Sequence, residues 1–396
     1  MRTIGTQVRG IRAPIIKKGD NLAEIVVSSL KKSWEEEGYE LKDGDVVAVT
    51  ESLVARAQGN YVSVDDIAKE IQEKYPNEIG IVFPILSRNR FSMILKSIAK
   101  SGRKIYLQLK YPRDEVGNTL MDPEKLRKTD IDPYTDILTE EDYYKHFGDF
   151  KHPFTGINYV DYYKEIVGDN CDIEIIFSNR AESILDYTKD VLAADIHTRS
   201  VTKERVKKAG ANIVYGLDDI CSEKVNGRGF NPDYGLLGSN KASDKTLKLF
   251  PRDGQSFVDE VQEKLKDLSS KDIDIEVMIY GDGAFKDPVG KIWELADPVV
   301  SPAYTSGLEG TPNEVKIKYL ADNDLDKLQG EELTAAMKEE VRKKEKDLVG
   351  NIKAQGTTPR QLTDLLGSLS DLVSGSGDKG TPIILIQGYF DNFATE

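Results

Sequence analysis

The sequence predicts a mixed α/β fold with more than one structural unit. Short apolar runs recur between segments whose apolar residues have helical spacing, and this alternation is typical of α/β proteins. The chain has 396 residues, of which 39% are hydrophobic and 31% charged, a composition typical of folded globular proteins with a large core. We find no internal repeat.

The N-terminal part begins with a predicted helix and a predicted strand. The helix follows "KKGDN", where Asp20 or Asn21 can accept its first free amide hydrogens as a cap. Its apolar residues recur at helical spacing: Leu22, Ile25, Val26, Leu30 and Trp34. The run "GDVVAVT" over 44–50 then predicts a short buried strand.

Two further helices and two further strands are predicted before residue 110. Ser63 and Asp66 have the spacing of a capping box, which predicts a helix that starts here. "IGIVFPIL" over 79–86 predicts a strand, 87–102 a helix that ends at Gly102, and 104–109 another strand.

The middle of the chain predicts an irregular excursion followed by a second α/β unit. Residues 111–165 are rich in Pro, Asp and Tyr, too polar for a core and too aromatic for a flexible linker, so we expect an ordered excursion or lid. Strands are predicted at 171–177 and 211–216, and helices near 181–192 and at 202–210.

The C-terminal part, from about Asn231, predicts more helices and two strands. One helix has apolar residues on one face: Phe257, Val261, Leu265 and Leu268. In the strand 273–280, one face is predicted to be apolar and the other mostly polar, because Ile273, Ile275, Val277 and Ile279 alternate with Asp274, Glu276, Met278 and Tyr280. Helices are also predicted at 331–348 and from Thr358 and Pro359 to Leu372, before the strand "TPIILIQG" over 381–388.

The composition excludes several classes of protein. The 54 Lys+Arg and 68 Asp+Glu give a formal net charge of −14, which repels nucleic acids and anionic membranes. The two cysteines and three histidines have none of the close spacing expected of a zinc site or a disulfide framework: Cys171, Cys221, His146, His152 and His197. No segment has the length and apolarity of a membrane span. We therefore expect a cytoplasmic protein with no nucleic-acid or membrane partner.

Two aspartates are candidates for chemistry. Asp282 lies between two glycines just after a predicted strand, where open α/β sheets place ligands. It can hold Mg²⁺ or Mn²⁺ with its carboxylate, or make a turn through its own backbone amides, and spacing alone favours the turn. Asp253 in "LFPRDGQS" has the same two interpretations, as a helix cap or as part of an anionic metal-binding cluster.

Other segments offer weaker signals. "SGSGDKG" over 374–380 precedes a strand, so it is not a Walker A loop, although its amides can form an anion nest as well as a plain turn. Asn240 suits a base or phosphate contact or a turn, and Arg56 a phosphate contact or an ordinary surface charge. The sequence lacks the motifs of serine hydrolases, zincins and dinucleotide-binding proteins.

Taken in order, several segments resemble the coenzyme F-420 gamma-glutamyl ligase family. The similar segments are "IRAPIIKKGDNLAEIV", "GDVVAVTESLVARAQG", "GLLGSN", "LFPRDGQS", "VMIYGDGAF", "KDLVGN" and "SGSGDKGTPIILIQG". They cover about 1–110 and 230–396. The resemblance implies a two-part ligase-like fold with mixed sheets, made of segments 1–110 and 231–396. Segment 111–230 is then an inserted α/β region and lid.

The resemblance also implies a set of site residues. Contacts to GTP are implied for Ala13, Pro14, Ile15, Ile16, Glu51, Ser52, Arg56, Asn240, Ser374, Gly375, Ser376, Gly377, Asp378, Lys379 and Gly380. Catalytic roles are implied for Asp282 and Arg56, and metal binding for Asp282 with Gly283 and Asp253.

This chain departs from the family pattern at the positions where the family has two acidic residues, which here are Leu237 and Ser376. Arg56 replaces the usual lysine, which keeps the charge but changes its geometry. We expect Asp233, Asp244, Asp253 or Asp378 to be the available substitutes for the missing acids.

The implied activity is the GTP- and Mg²⁺- or Mn²⁺-dependent ligation of L-glutamate to a small carboxylate acceptor through an acyl phosphate, by a homodimer. Phosphoryl transfer of this kind depends mainly on positioning and charge neutralisation. Two alternatives stay open. The chain is either a catalytically impaired nucleotide-binding or regulatory protein on the same fold, or a different nucleotide-dependent transferase.

Overall fold

The computed structural model describes residues 3–269, 273–281, 301–354, 360–374 and 378–395, and the backbone of 284–286 and 293–295. The strands are β1 (Gln7–Ile11), β2 (Asp45–Thr50), β3 (Tyr61–Ser63), β4 (Ile79–Val82), β5 (Ile105–Leu109), β6 (Leu138–Thr139), β7 (Ile173–Phe177), β8 (Asp190–Ala193), β9 (Ile213–Gly216), β10 (Ser239–Lys241), β11 (Thr246–Leu249), β12 (Ile275–Tyr280), β13 (Ala284–Lys286), β14 (Trp293–Leu295) and β15 (Ile383–Gln387). The helices are α1 (Leu22–Glu37), α2 (Glu51–Gln58), α3 (Val64–Lys74), α4 (Phe91–Lys100), α5 (Pro123–Leu126), α6 (Glu140–Phe147), α7 (Tyr159–Val167), α8 (Arg199–Lys208), α9 (Gly254–Leu268), α10 (Ile317–Asp322), α11 (Gly330–Arg342) and α12 (Leu362–Ser374). The mixed α/β fold is therefore confirmed.

A four-stranded sheet joins the two ends of the chain, in the order β1, β15, β2, β12. Strands β1 and β2 are both antiparallel to β15, whereas β12 is parallel to β2. Helices α1 and α9 cover one face, where Val26 and Val261 pack against Val47 and Val277. The N-terminal and C-terminal segments thus form one hydrophobic core.

Helix α12 covers the opposite face of this sheet. Leu366 packs there with Ala48, Met278, Tyr280 and Ile384. The face of β12 predicted to be mostly polar is therefore partly in the core, because Met278 and Tyr280 on that face are buried. When helices cover both faces of a sheet, the side chains on both faces of its strands are buried and can be apolar.

A six-stranded sheet forms the second large layer, in the order β6, β7, β5, β4, β8, β9. All neighbours are parallel except β6, which is antiparallel to β7. Because β5 pairs with β7, this sheet crosses the predicted boundary at residue 110. The chain runs from β4 outward to β5 and β7, then returns to the other side of β4 for β8 and β9.

The aromatic excursion is ordered and packs on the six-stranded sheet. It contains α5, β6, α6 and most of α7, and its buried Tyr143 stacks on Phe177 of β7 at 5.0 Å between ring centroids. Tyr163 is also buried and contacts Phe91 edge to face. The aromatic residues therefore supply core contacts.

A small antiparallel sheet, in the order β10, β11, β3, connects the two large layers. Strand β3 follows α2 directly, and Asn60 between them is fully buried. Its side-chain amide donates to the carbonyl oxygens of Phe230 and Phe250 at 2.9 and 2.7 Å. This asparagine therefore holds Phe230 and Phe250 against the N-terminal segment.

Several local predictions are confirmed and one is wrong. Asn21 caps α1 by accepting from the amide of Glu24, and Ser63 and Asp66 form the predicted capping box of α3. The helix predicted near 181–192 is instead a short 3-10 helix at Ala181–Asp186 followed by β8. Thr358 and Pro359, the predicted start of the last helix, lie outside the described residues. Among the described residues, no helix is long and apolar enough to cross a membrane.

Candidate functional site

Three of the predicted nucleotide-binding segments meet at the N-terminus of α2. The amide of Ala13 donates to the carbonyl oxygen of Gly380 at 3.2 Å, which joins the loop 13–16 to the closing loop. The amide of Thr50, the N-cap of α2, donates to the carbonyl oxygen of Pro382 at 3.1 Å. The two loops and the helix start therefore form one continuous surface.

Arg56 fixes the loop 13–16 along the side of α2. Its Nε donates to the carbonyl oxygen of Ile16 at 2.6 Å. Ile16 is buried, whereas Ile15 is 83% exposed. Arg56 thus supports the predicted GTP-binding loop through its backbone, a role that the sequence interpretation did not include.

The loop 13–16 contributes Ala13 and Pro14 to the wall of a cavity of about 900 Å³. The charged residues of the wall are Arg9, Arg12, Lys32, Glu36 and Glu37. The cationic side chains provide a local positive charge on an otherwise acidic protein. This charge is compatible with phosphate groups near the predicted loop.

Glu51, a predicted GTP contact, is bound by a lysine that the sequence interpretation missed. Nζ of Lys248 lies 2.9 and 3.1 Å from the two carboxylate oxygens of Glu51, and both residues are buried. Ser52, the next residue, is exposed. A lysine between Leu247 and Leu249 in an apolar run was the available signal, because a buried lysine needs a charged partner.

Asn240 is next to this ion pair. It lies in β10, not in a turn, and its Cα pairs with that of Lys248 in β11. Cross-strand partners have side chains on the same face of a sheet. Asn240, Lys248 and Glu51 therefore follow one another along one face, which links β10 to the start of α2.

The glycines of "GLLGSN" have structural roles. A Cβ at Gly235 would lie 2.4 Å from the carbonyl oxygen of Ile220, and φ is +47° there. A Cβ at Gly238 would lie 2.3 Å from the ring of Phe250. Both positions therefore require glycine. Leu237 between them is buried, and it is the residue for which the resemblance implies an acidic counterpart in the family.

The metal-binding prediction can be followed only at Asp253, because Asp282 and Gly283 lie outside the described residues. Asp253 is exposed, occupies the N-cap of α9 with φ +50°, and its side chain makes no capping hydrogen bond. The adjacent Gly254 packs on Ile279, since a Cβ there would lie 3.1 Å from Cδ1 of Ile279. Asp253 is thus at the end of β12 that leads into Asp282.

The described residues alone do not form a metal centre. Within the parts of the chain that the structure describes, no group of three His, Cys, Asp or Glu residues is placed to hold a metal ion. Asp244 is bound to Lys241 at 2.7 Å, and Asp233 and Asp378 are exposed. Ser376 lies outside the described residues, as do Gly375 and Gly377.

The flanks of the closing loop are described. Ser374 ends α12, is buried, and donates through Oγ to the carbonyl oxygen of Asp371 at 3.1 Å. Asp378 and Lys379 form an exposed turn before Gly380, whose φ is +67°. Gly10 lies close to Thr381, since a Cβ at this glycine would be 3.0 Å from the threonine Cβ. These contacts hold the loop against β1.

Comparison with known proteins agrees with the resemblance. A family model described as F420-0:Gamma-glutamyl ligase matches residues 10–388. The chain is 29% identical over 92 residues to "Coenzyme F420:L-glutamate ligase" of Methanothermobacter thermautotrophicus, covering 22% of this chain and 35% of that protein. It is 40% identical over 52 residues to "Uncharacterized protein MJ1361" of Methanocaldococcus jannaschii, covering 13% of this chain and 16% of that protein. Because the family model spans both end segments and the region between them, the chain belongs to the F420-0:gamma-glutamyl ligase family.

Proposed function

We propose that the protein is a GTP- and divalent-metal-dependent ligase that adds L-glutamate, or a similar amino acid, to a carboxylate acceptor. The observation that carries this proposal is the meeting of the loops 13–16 and 378–382 at the N-terminus of α2. A helix start with adjacent loop amides suits the phosphates of a nucleotide. Membership of the family and the ligase named among the relatives support the same reaction.

The proposed reaction has two steps. An oxygen of the acceptor carboxylate attacks the γ-phosphorus of GTP, which forms an acyl phosphate and releases GDP. The α-amine of glutamate then attacks the acyl carbon, inorganic phosphate leaves, and the amine loses a proton. The products are one amide, GDP and phosphate, so no oxidant or reductant is needed.

The residues around α2 have distinct roles in this proposal. The backbone amides of the two loops bind the phosphates, and Arg56 holds the loop 13–16 in place while adding positive charge. Asn240 orients the nucleotide. Asp282, with Asp253 at the same end of β12, would hold Mg²⁺ or Mn²⁺, whose charge offsets that of the phosphates when it is bound. We also propose that the protein acts in the cytoplasm as a homodimer.

One observation favours a second candidate, a nucleotide-binding regulatory protein without turnover. Leu237 is buried and apolar at the position where the family has an acidic residue. A divalent cation that loses one carboxylate ligand keeps more of its water shell and binds more weakly. In this case GTP binding persists without ligation.

Thermal unfolding with and without GTP and Mn²⁺ tests the nucleotide part of the proposal. A ligand at about 100 times its Kd stabilises the folded state by about 2.7 kcal/mol, which raises Tm by several degrees. We expect this increase with GTP plus Mn²⁺ and a smaller one after Asn240→Ala. An unchanged Tm with every nucleotide tested would refute the proposal, and Glu339→Ala is the control because its exposed carboxylate pairs with Lys343 at the surface of α11.

A further inference from the structure

The six-stranded sheet contains a topological switch point, and a cavity lies there. Successive connections run from β4 to β5 and β7 on one side, and β8 and β9 lie on the other side. In such sheets, ligands bind outside the carboxyl ends of the strands where the direction changes, here between β4 and β8. A cavity of about 260 Å³ is bordered by residues just beyond the ends of these strands, including Ile85, the third residue after β4, and Ala194, directly after β8.

Slightly more than half of the cavity wall is apolar. Ile94, Val116, Ile196, Leu217 and Leu237 each contribute to it. A water molecule in the liquid takes about 30 Å³, so this volume holds a ligand of roughly ten non-hydrogen atoms. The wall therefore suits a small apolar body, such as an aromatic ring with a short side chain, and is too small for a dinucleotide.

The polar part of the wall is basic and rigid. Arg90 borders the cavity, and its Nε donates to the carbonyl oxygen of Ser239 at 3.0 Å, which fixes the guanidinium group. Oγ of Ser87 accepts from the amides of Asn89 and Arg90 at 3.3 and 2.9 Å. Arg90 is also the N-cap of α4, whose first turn contains no acidic residue. An anionic group is thus favoured at this wall.

The nature of the anion follows from the loop between β4 and α4. Residues 83–90 contain no glycine, so the loop lacks the close backbone approach that phosphate-binding loops use. Glu115, whose Oε1 accepts from the amide of Ile196, and the buried Asp195 lie near the cavity wall. Their proximity penalises a phosphate dianion more than a carboxylate. A guanidinium group also matches the planar geometry of a carboxylate.

The cavity adjoins the proposed nucleotide site through Asn240. This residue borders the cavity and is the cross-strand neighbour of Lys248, which binds Glu51 at the start of α2. Leu237, at the family's acidic position, belongs to the apolar wall of the same cavity. The leucine that replaces the family's acidic residue therefore also forms part of the apolar wall of this cavity.

We infer that this cavity binds a small carboxylic acid with an apolar body, and that this acid is the acceptor of the ligation. The acceptor role rests on the proposed function, whereas binding of the acid does not require nucleotide. The site thus selects an acceptor of about ten non-hydrogen atoms. Its carboxylate faces Arg90, and its apolar part lies against Leu237.

Binding is tested by isothermal titration of 3-phenylpropanoate into the full-length protein without nucleotide, with 3-phenylpropanamide as the neutral analogue. We expect the acid to bind and the amide to bind at least about tenfold more weakly. Arg90→Gln should weaken acid binding by about tenfold or more, because it removes the cation at the wall. Leu237→Trp should fill the cavity and abolish binding. Arg205→Gln is the matched control, because Arg205 is on α8 and pairs with Glu182. It should not change binding of the acid.

Three results would overturn the inference: no binding of the acid, equal binding of acid and amide, or undiminished binding in both cavity variants. The acceptor role is tested separately, by measuring whether labelled glutamate forms an amide with the acid in the presence of GTP and Mn²⁺. Acid binding without such incorporation, although GTP stabilises the protein, would refute the acceptor role alone. A protein that binds the acid but no nucleotide would refute the proposed function and leave the cavity assignment supported.

Discussion

Lys248 and Glu51 form a buried ion pair that joins the small sheet to the start of α2, with Nζ 2.9 Å from Oε1 and 3.1 Å from Oε2. The two residues are 197 positions apart in the chain. Two charges taken out of water are tolerated only while they neutralise each other. The pair therefore fixes β11 against α2 and makes the position of Glu51 depend on the C-terminal segment.

Removing one member of this pair should cost far more than removing both. We expect Lys248→Met to lower the free energy of unfolding by about 3 kcal/mol, because the buried Glu51 carboxylate then loses its lysine partner. The double variant Glu51→Gln/Lys248→Met should recover at least about 1 kcal/mol of that loss. Urea unfolding measures each variant. Lys343→Met, from an exposed pair with Glu339, is the control and should change stability by less than about 0.5 kcal/mol. Additive effects of the two single changes would contradict this account.

Arg56 is expected to act through its geometry as well as its charge. In Arg56→Lys the cation is kept but the hydrogen bond from Nε to the carbonyl oxygen of Ile16 is lost. Since the loop 13–16 is then less well ordered, we expect the Kd for GTP to rise about tenfold, nearly as much as in Arg56→Gln. Titration calorimetry measures both. Full GTP affinity in the lysine variant would show that charge alone is sufficient.

Asp253 should be unfavourable for stability in the absence of ligand. It has φ +50° and no capping hydrogen bond, a conformation that glycine adopts without strain. We therefore expect Asp253→Gly to raise the free energy of unfolding by about 0.5–1 kcal/mol, and Asp253→Ala to lower it. If the carboxylate also supports a metal ion, the glycine variant loses part of the extra stabilisation by GTP plus Mn²⁺. A glycine variant that is less stable without ligand would refute the strain argument.

The stability of the protein should depend on pH through Asp45. Burial raises the pKa of this carboxyl from 3.8 to about 6, even though the amide of Lys42 and the side chain of Gln387 donate to it. Between these two values the unfolded chain releases a proton that the folded protein retains. Stability contributed by this group therefore falls as pH rises from about 4 to about 6 and is constant above that range.

Asp45→Asn should remove this dependence. We expect its stability relative to the wild type to increase between about pH 4 and pH 6.5, by on the order of 2 kcal/mol. Urea unfolding at several pH values gives the difference. The exposed Asp43→Asn, close in sequence, is the matched control and should not change the slope. A constant difference between Asp45→Asn and the wild type across this range would refute the pKa assignment.

Local sequence signals predicted much of the fold. The capping residues Asn21 and Ser63 and the helical spacing in α1, α4 and α9 depend on neighbours in the chain, so a single sequence reveals them. The error at 181–192 has a physical reason. β8 is a short apolar run whose pattern fits a buried helix or a buried strand equally well, and only its pairing with β4 decides.

Long-range partners explain what sequence alone could not predict. The sequence pattern indicated no role for Lys248, because its partner Glu51 is far away in the chain. Met278 and Tyr280 were assigned to a mostly polar face because the sequence does not show that α12 covers them. The predicted loops around Ala13 and Gly380 do meet, which agrees with the family motifs. Asp282, the predicted metal ligand, lies outside the described residues.

The most direct test of the proposed ligase is release of phosphate from GTP by the purified protein with Mn²⁺ and a small apolar carboxylic acid, with and without L-glutamate. We expect sustained phosphate release only when both the acid and glutamate are present, with formation of an equal amount of amide product. Phosphate release at the same rate with and without glutamate, or none under any combination, would contradict the central claim that this protein forms an amide bond.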